Sequence, residues 1–435
     1  MLTVAYLANQ FPSAVEPYVI EEIEELRRRG VRVIAGSVRK PRREAFAIGR
    51  EPEVVLQPLS AIILLRALWL CVREWKRISS LTGRVLFRGR EGPFKRMKAL
   101  VHTWLGACYA VLLQGRGVDH IHVHHGYFGS WIAMVAARLL GVEYSMTLHG
   151  SDLLLRGIYL DAKLESCTFC VTVSEYNRRY ILQRYQTIDA KKVVVARLGV
   201  EVSERDALPV PRLKTSSDPF MLLAVGRLHA VKDHAFLVRA CQQLKGLDVH
   251  FECSIAGDGP ERRNLQSLIR KCSLEEQVTL LGQVERENIN SLYDRADVVV
   301  LTSRSEGIPL VLMEAMARGK IVLAPAITGI PELVTAGETG FLYEPGSLDD
   351  FVARLLFIRS LTQSVGDPDL HSYILYPYIL SMARQLDLVR HAARVRVRHD
   401  FNRRRNLESF VDLFLQRITP RTESVPDENF VLQQI

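Results

Sequence analysis

The 435-residue sequence lacks any apolar run near the roughly 20 residues that a membrane-spanning helix needs; the longest toward its start, Ala61 to Val72, is interrupted by Arg66. It also lacks a basic flank ahead of its apolar beginning, MLTVAYLANQ, so no secretory leader is expected. The Gly-x-x-x-x-Gly-Lys-Ser/Thr loop is missing, which disfavours a nucleotide-hydrolysing switch. Cysteine is scarce. Seven cysteines, an odd number, suit a reducing cytosol rather than a disulfide scaffold. Cys167 and Cys170 form a lone C-x-x-C with no second pair, which argues against zinc or redox chemistry. His120, His122, His124 and His125 tempt a metal reading, because alternate strand residues share a face, but no Cys, Asp or Glu stands at metal-site spacing around them. Asp367-Pro368-Asp369 has no strand before it and reads as a turn. No metal and no resident cofactor are therefore expected.

What is present is a chain with much to bury. Hydrophobic residues make up 48%, charged residues 24%, and mean hydropathy is +0.05, which excludes wholesale disorder. The length predicts two or three domains. The net charge of +9 is concentrated: between Ala61 and Arg116 eleven Lys and Arg face only Glu74 and Glu91, so the remainder of the chain is neutral. Trp69, Trp75, Phe87, Phe94 and Trp104 are interleaved with these cations. That composition fits amphipathic helices resting on an anionic leaflet, with ordinary solvated helix faces as the plain alternative. No nucleic-acid motif accompanies the charge, so nucleic acid is not an expected partner.

Short apolar runs alternate with helix-period segments, the pattern of parallel sheets covered by helices, and the expected class is α/β. Strands are expected at Leu2 to Leu7, Val31 to Ser37, His120 to His124, Tyr144 to Leu148, Phe169 to Val173 and Lys192 to Ala196. After a Pro-, Ser- and Lys-bearing linker at 202–219 the pattern restarts, with strands at Phe220 to Val225, His250 to Ala256, Val278 to Leu281, Asp297 to Leu301 and Lys320 to Ala324. The chain thus divides into a domain at 1–201, a second at 220–390, and a C-terminal helix and tail at 391–435 expected to pack back toward the first. Leu361 to Leu386 has no clear period.

The chemistry is concentrated in Ser303 to Gly319, SRSEGIPLVLMEAMARG, where a strand ends and a helix begins. Pro309 suits the first helical turn and Gly319 the position after the last. The amides of Gly307, Ile308 and Leu310 then face an anion at the carboxyl edge of the sheet. Glu306 and Glu314, eight residues apart, are too separated for an acid/base couple and suit hydrogen bonds to two sugars joined by a diphosphate. A capped helix with an acid at its positive end is the bland reading. Gly226-Arg227, followed by Lys232, adds cations beside another strand end, as a diphosphate needs. The Gly257-Asp258-Gly259-Pro260 turn is a weak phosphate-loop signal.

These motifs, with Leu281-Gly282 and Gly337-Glu338-Thr339-Gly340-Phe341-Leu342, resemble in order and spacing the retaining family-four glycosyltransferases of the GT-B fold, in which two Rossmann-like domains face across a cleft. The resemblance covers about residues 1 to 350, and Glu306-x7-Glu314 is its most specific part. Phe11-Pro12-Ser13 with Glu16, Asp119 to His124, and Thr147-Leu148-His149-Gly150-Ser151-Asp152 are similar to the branch that builds exopolysaccharide of the colanic-acid type. The resemblance implies that Glu314 holds the nucleotide ribose, Glu306 a donor-sugar hydroxyl, Arg227 and Lys232 the diphosphate, and the backbone at Gly226, Gly259, Gly282 and Gln283 the remainder of the donor. It implies that His149 bonds a sugar hydroxyl, that Ser13, Glu16, His124 and Asp152 lie on the acceptor side, and that transfer retains configuration without a carboxylate nucleophile or a metal. Donor and acceptor are then a nucleotide-diphosphate sugar and a glycan or lipid-linked saccharide, at the cytoplasmic face of a membrane. The family's glycine pair after the first strand is replaced by Asn9 to Ser13. A silent GT-B-fold binding subunit is the rival reading; it would be marked by loss of Glu306, Glu314, Arg227 or Lys232, and all four are present.

Overall fold

The computed structural model describes residues 1–13, 16–41, 51–88, 91–155, 157–202, 217–363 and 376–419. Arg90, most of the expected linker, Asp367-Pro368-Asp369 and the chain end beyond 419 lie outside them. The strands of the first half are β1 (Thr3–Ala8), β2 (Arg32–Arg39), β3 (Val54–Gln57), β4 (His120–His124), β5 (Glu143–Leu148), β6 (Cys170–Thr172) and β7 (Val193–Val195). Those of the second are β8 (Phe220–Val225), β9 (Phe251–Ala256), β10 (Val278–Gly282), β11 (Val298–Val300), β12 (Ile321–Pro325) and β13 (Phe341–Tyr343). They form two wholly parallel sheets, ordered β3-β2-β1-β4-β5-β6-β7 and β10-β9-β8-β11-β12-β13. Each is an open, doubly wound sheet with helices on both faces.

Burial on both faces is why these strands read as continuous apolar runs rather than alternating ones. β1 and β4 are buried along their whole length. In the first domain, α1 (Pro17–Arg28) covers one face and α2 (Ala61–Arg73), α3 (Trp75–Gly83), α4 (Pro93–Leu113) and α5 (Phe128–Leu140) build the other. Cys167 and Cys170 are buried there as free thiols, and burial pushes Cys167 up to about 12, which leaves it a small apolar side chain. The last described helix, Arg403–Ile418, lays Phe410, Val411 and Phe414 on the first sheet beside Tyr6, and the Phe414 ring lies 5.0 Å from that of His122.

Candidate active site

An open parallel sheet binds ligands beyond the carboxyl ends of the neighbouring strands whose connections leave in opposite directions. Those pairs are β1 and β4 in the first sheet and β8 and β11 in the second. The second pair brings Lys232 and Glu306 together: Lys232 Nζ donates to Glu306 Oε1 at 2.5 Å, with both side chains largely buried. The Lys232 turn is pinned to the segment after β11. Its carbonyl accepts from Thr302 Oγ1 at 2.9 Å, the Arg304 amide donates to the Val231 carbonyl at 2.8 Å, and Arg304 pairs with Asp233 at 2.7 Å. A 74-residue separation is thereby closed by hydrogen bonds on both sides of the ion pair.

The helix after Glu306 spans Leu310–Ala317, with Pro309 at its N-cap in extended backbone, one position earlier than expected. Among the described residues no protein acceptor takes the amides of Gly307, Ile308 or Leu310, so this positive helix end stays available to an anion. Glu314, in the second turn, accepts from the Tyr293 hydroxyl at 2.8 Å. Tyr293 belongs to the helix Arg286–Arg295 and was not foreseen; a buried tyrosine needs a partner for its hydroxyl, and here that partner is a site carboxylate. Gly226, Gly257 and Gly282 stand at the carboxyl ends of β8, β9 and β10. Gly257 has φ +141, and a Cβ there would lie 2.0 Å from the Gly226 carbonyl oxygen, so the glycine serves close backbone packing. The Gly259 amide is already taken by Asp258 Oδ1 at 2.7 Å, while Gln283 is exposed beside Gly282.

The first domain meets this site through the loop after β5. A Cβ on Gly307 would lie 2.0 Å from the His149 carbonyl oxygen, so only glycine allows the two loops to touch, and His149 and Glu306 become neighbours across the cleft. Glu332 closes a second contact, accepting from the Glu175 and Tyr176 amides at 3.0 and 2.6 Å. His149 is partly exposed and its Nε2 lies 3.1 Å from His124 Nδ1; His124 Nε2 in turn lies 3.0 Å from Glu22 Oε2, which also accepts from the Tyr6 hydroxyl at 2.8 Å. The tautomers that satisfy both contacts put a proton on His124 Nε2 and on His149 Nε2, which leaves Nδ1 of His149 as the accepting nitrogen. Burial, then the charge of His125, holds His149 well below the usual histidine range. Ligand atoms of Glu22, His122 and His124 fall within 4.8 Å of one another, which corrects the expectation that no carboxylate stands near these histidines. Every ring nitrogen of the two histidines already has a hydrogen-bond partner.

Two acceptor-side candidates take other places. His124 is buried behind His149, and Asp152 is wholly buried, its carboxylate accepting from the amides of Gly126 at 2.8 Å, His149 at 3.1 Å and Gly150 at 2.8 Å. Neither is open to solvent; Asp152 fixes the loops at Gly126 and at His149-Gly150, and His124 backs the His149 ring. Ser13 and Glu16 are partly exposed after β1, and Glu16 Oε1 lies 2.8 Å from His125 Nε2. His125, considered in the sequence only as a metal ligand, has φ +71 and lies between Glu16 and Asp152. Burial would lower its pKa, but the Asp152 and Glu16 carboxylates outweigh that and hold it up at about 10. Burial likewise works against the Glu16 carboxylate, yet His125, with the exposed Arg227 from the second domain, holds it below its usual value. Lys163, pushed down to about 7 by burial, donates to the Gly126 and Tyr127 carbonyls, both at 2.8 Å, and fixes the same loop.

This buried cluster sets a pH dependence. A raised His125 pKa contributes stability that is complete below its unfolded value of about 6.5 and is lost as pH rises through about 10. The lowered Asp152 pKa contributes stability present above about 3.9 and lost in stronger acid. Lys163, held at about 7, opposes this, because it is neutral in the fold and charged when unfolded above that pH. The urea midpoint of the parent is therefore expected to change little between pH 7 and 9.5, and that of His125→Gln to rise over the same range. Asp152→Asn, which leaves an imidazolium without its buried partner, is expected to cost about 3 kcal/mol in urea unfolding at pH 7.

Residues 210–363 match the model of the family described as glycosyl transferases group 1, and residues 15–204 that of glycosyltransferase family 4. The chain belongs to the family-four glycosyltransferases of the GT-B fold. Among curated relatives, it is 34% identical over 218 residues to WcaL of Escherichia coli K12, named for colanic acid biosynthesis, covering 49% of this chain and 48% of WcaL. AmsK of Erwinia amylovora, an amylovoran biosynthesis glycosyltransferase, is 29% identical over 302 residues, covering 65% of this chain and 67% of AmsK. The match to the first of these spans about half its length. Two solved family folds superpose over nearly the whole chain. The Rickettsia africae ESF-5 glycosyltransferase has a TM-score of 0.65 at 20% identity, covering 96% of this chain and 99% of that one, and Anabaena HepE in complex with UDP has 0.64 at 17% identity, covering 95% and 100%. At these identities the likeness is one of fold.

Proposed function

We propose that this chain is a retaining glycosyltransferase that moves a sugar from a nucleotide-diphosphate sugar to a glycan or lipid-linked saccharide acceptor, without a metal, in the assembly of a cell-surface polysaccharide. The observation that carries the reading is the Lys232–Glu306 pair at one switch point, held against the His149 loop from the facing domain. The names of WcaL and AmsK support the polysaccharide assignment, and the UDP bound to HepE supports a nucleotide donor.

In this reading Lys232, Arg227 and the amides of Gly307, Ile308 and Leu310 neutralise the diphosphate, which supplies the charge stabilisation that other enzymes draw from a divalent ion. Glu314, oriented by Tyr293, accepts from the ribose hydroxyls, and the backbone at Gly282 and Gln283 frames the base. Glu306 and Nδ1 of His149 accept hydroxyls of the transferred sugar from opposite sides of the cleft. The bond from the anomeric carbon to the phosphate oxygen breaks as the acceptor oxygen bonds to the same face, and the acceptor proton passes to the departing phosphate. UDP-hexose and GDP-mannose both fit this description.

The reaction is tested by incubating the protein with a panel of nucleotide sugars, with and without EDTA, and following nucleoside diphosphate release and product configuration by NMR. Release unchanged by EDTA and a product of retained configuration are expected; an EDTA-sensitive or inverting reaction overturns those parts. Glu22→Gln is expected to lower kcat about tenfold with donor Kd within about threefold, because the amide can present a proton to His124 and reverse the tautomers out to His149. Equal activity in that variant would remove Glu22 from the account.

A further inference from the structure

The basic segment, which the site does not use, leaves its apolar side chains outside. Of the twenty large hydrophobic side chains exposed among the described residues, twelve lie between Ile62 and Trp104, a tenth of the chain. α2 and α4 pack on each other and are apolar on two opposite sides. α2 buries Ala67 and Leu70 against the domain yet turns Leu65, Trp69 and Val72 outward, and α4 buries Ala99 and Thr103 while Phe94, Val101 and Trp104 point away. Helix-spaced stripes of this kind on adjacent helices belong to a core or to something that covers them. Phe87, on the turn between α3 and α4, is 83% exposed.

Charge identifies the cover. Arg66, Lys76, Lys95 and Lys98 are exposed and meet no carboxylate among the described residues, and Lys98 lies over the Phe94 ring at 5.1 Å. Glu74 is already paired with Arg73 and Arg77, which leaves positive charge in excess on this face. Lysines set within an exposed aromatic stripe are unlike the centre of a protein interface, which is depleted of lysine, and match a helix lying at the boundary of headgroups and acyl chains.

The position of α4 relates this face to the cleft. His102 stacks on Phe128 at 4.9 Å, and Thr103 Oγ1 accepts from Trp131 Nε1 at 2.9 Å, while Gly106 lies against Ile132 and Val135, so α4 runs parallel to α5. Phe128 begins α5 just past the carboxyl end of β4. The part of α4 before His102 therefore extends about 13 Å beyond the start of α5, on the cleft side of the sheet.

We infer that the outward face of α2, the Phe87 turn and α4 docks on an anionic lipid leaflet and sets the cleft mouth at its surface, so that the acceptor is a saccharide carried on a lipid. The acceptor half rests on the proposed transfer; the docking half does not. The test uses the full chain and two kinds of vesicle, phosphatidylcholine alone and phosphatidylcholine with 30% phosphatidylglycerol. Cosedimentation with the anionic vesicles is expected, weakened about tenfold between 0.1 and 0.5 M NaCl. Trp69→Ser/Phe87→Ser/Trp104→Ser is expected to lose about 100-fold in partitioning, and Lys95→Glu/Lys98→Glu to lose anionic preference, while both keep the donor-dependent thermal shift of the parent. Absence of vesicle binding by the parent overturns the inference, as does equal binding to neutral vesicles. A face that instead holds two copies together, shown by a dimer that the triple serine variant dissociates without change in vesicle binding, overturns it too. Because vesicle binding is measured without donor and the thermal shift without vesicles, failure of one leaves the other standing.

Discussion

Glu306→Ala is expected to lower sugar transfer on the order of 10³-fold. The carboxylate touches Lys232 at 2.5 Å and sits one residue before the glycine that meets the His149 loop, so it stands where the two domains converge. In the proposed transfer its removal takes away an acceptor for a sugar hydroxyl; it also leaves Lys232 without its partner, and water can reach Lys232 because 19% of its side chain remains exposed. The fold is therefore expected to survive at a cost of about 1 kcal/mol. The loss should fall mainly on kcat, since a contact to the reacting sugar strengthens as charge develops at the anomeric carbon. Glu306→Gln, which keeps the shape but not the charge, should recover part of the rate.

Lys232→Ala is expected to lower transfer by about 10²- to 10³-fold with a different signature. The lysine is assigned to the diphosphate, which is charged in the ground state and in the product, so its loss should weaken binding of the bare nucleoside diphosphate at least tenfold. Glu306→Ala should leave that affinity nearly unchanged. The two substitutions share one ion pair, and the double variant should fall short of the product of the single losses. Calorimetric titration of the nucleoside diphosphate into the three variants distinguishes the roles; equal affinities throughout would detach Lys232 from the diphosphate.

The two sheets were legible because strands buried on both faces leave uninterrupted apolar runs, and the Glu306-x7-Glu314 turn was legible because its parts are local in sequence. β3 and β13 were not seen: they are edge strands of four and three residues whose burial alternates, too short to separate from their surroundings. The partners of the site were hidden by distance along the chain. Glu22 meets His124 across 102 residues, and Tyr293 meets Glu314 from a separate helix. His124 and Asp152 are buried rather than open to the cleft, since a polar residue beside a strand end can face outward or brace the loops behind it, and only the hydrogen bonds decide. The composition of the basic segment announced apolar helices with cations. That their exposed sides are also apolar emerged only once α4 was packed on α5.

The central claim, donor binding at the β8–β11 switch point facing His149, is tested most directly by thermal unfolding of the parent chain against a panel of UDP- and GDP-sugars. One nucleotide sugar at a hundred times its Kd should stabilise the parent by about 2.7 kcal/mol, and at the same concentration Lys232→Ala should cut that shift to about 1.4 kcal/mol or less. A parent chain unmoved by every nucleotide sugar, or a Lys232→Ala variant stabilised as fully as the parent, would contradict the account.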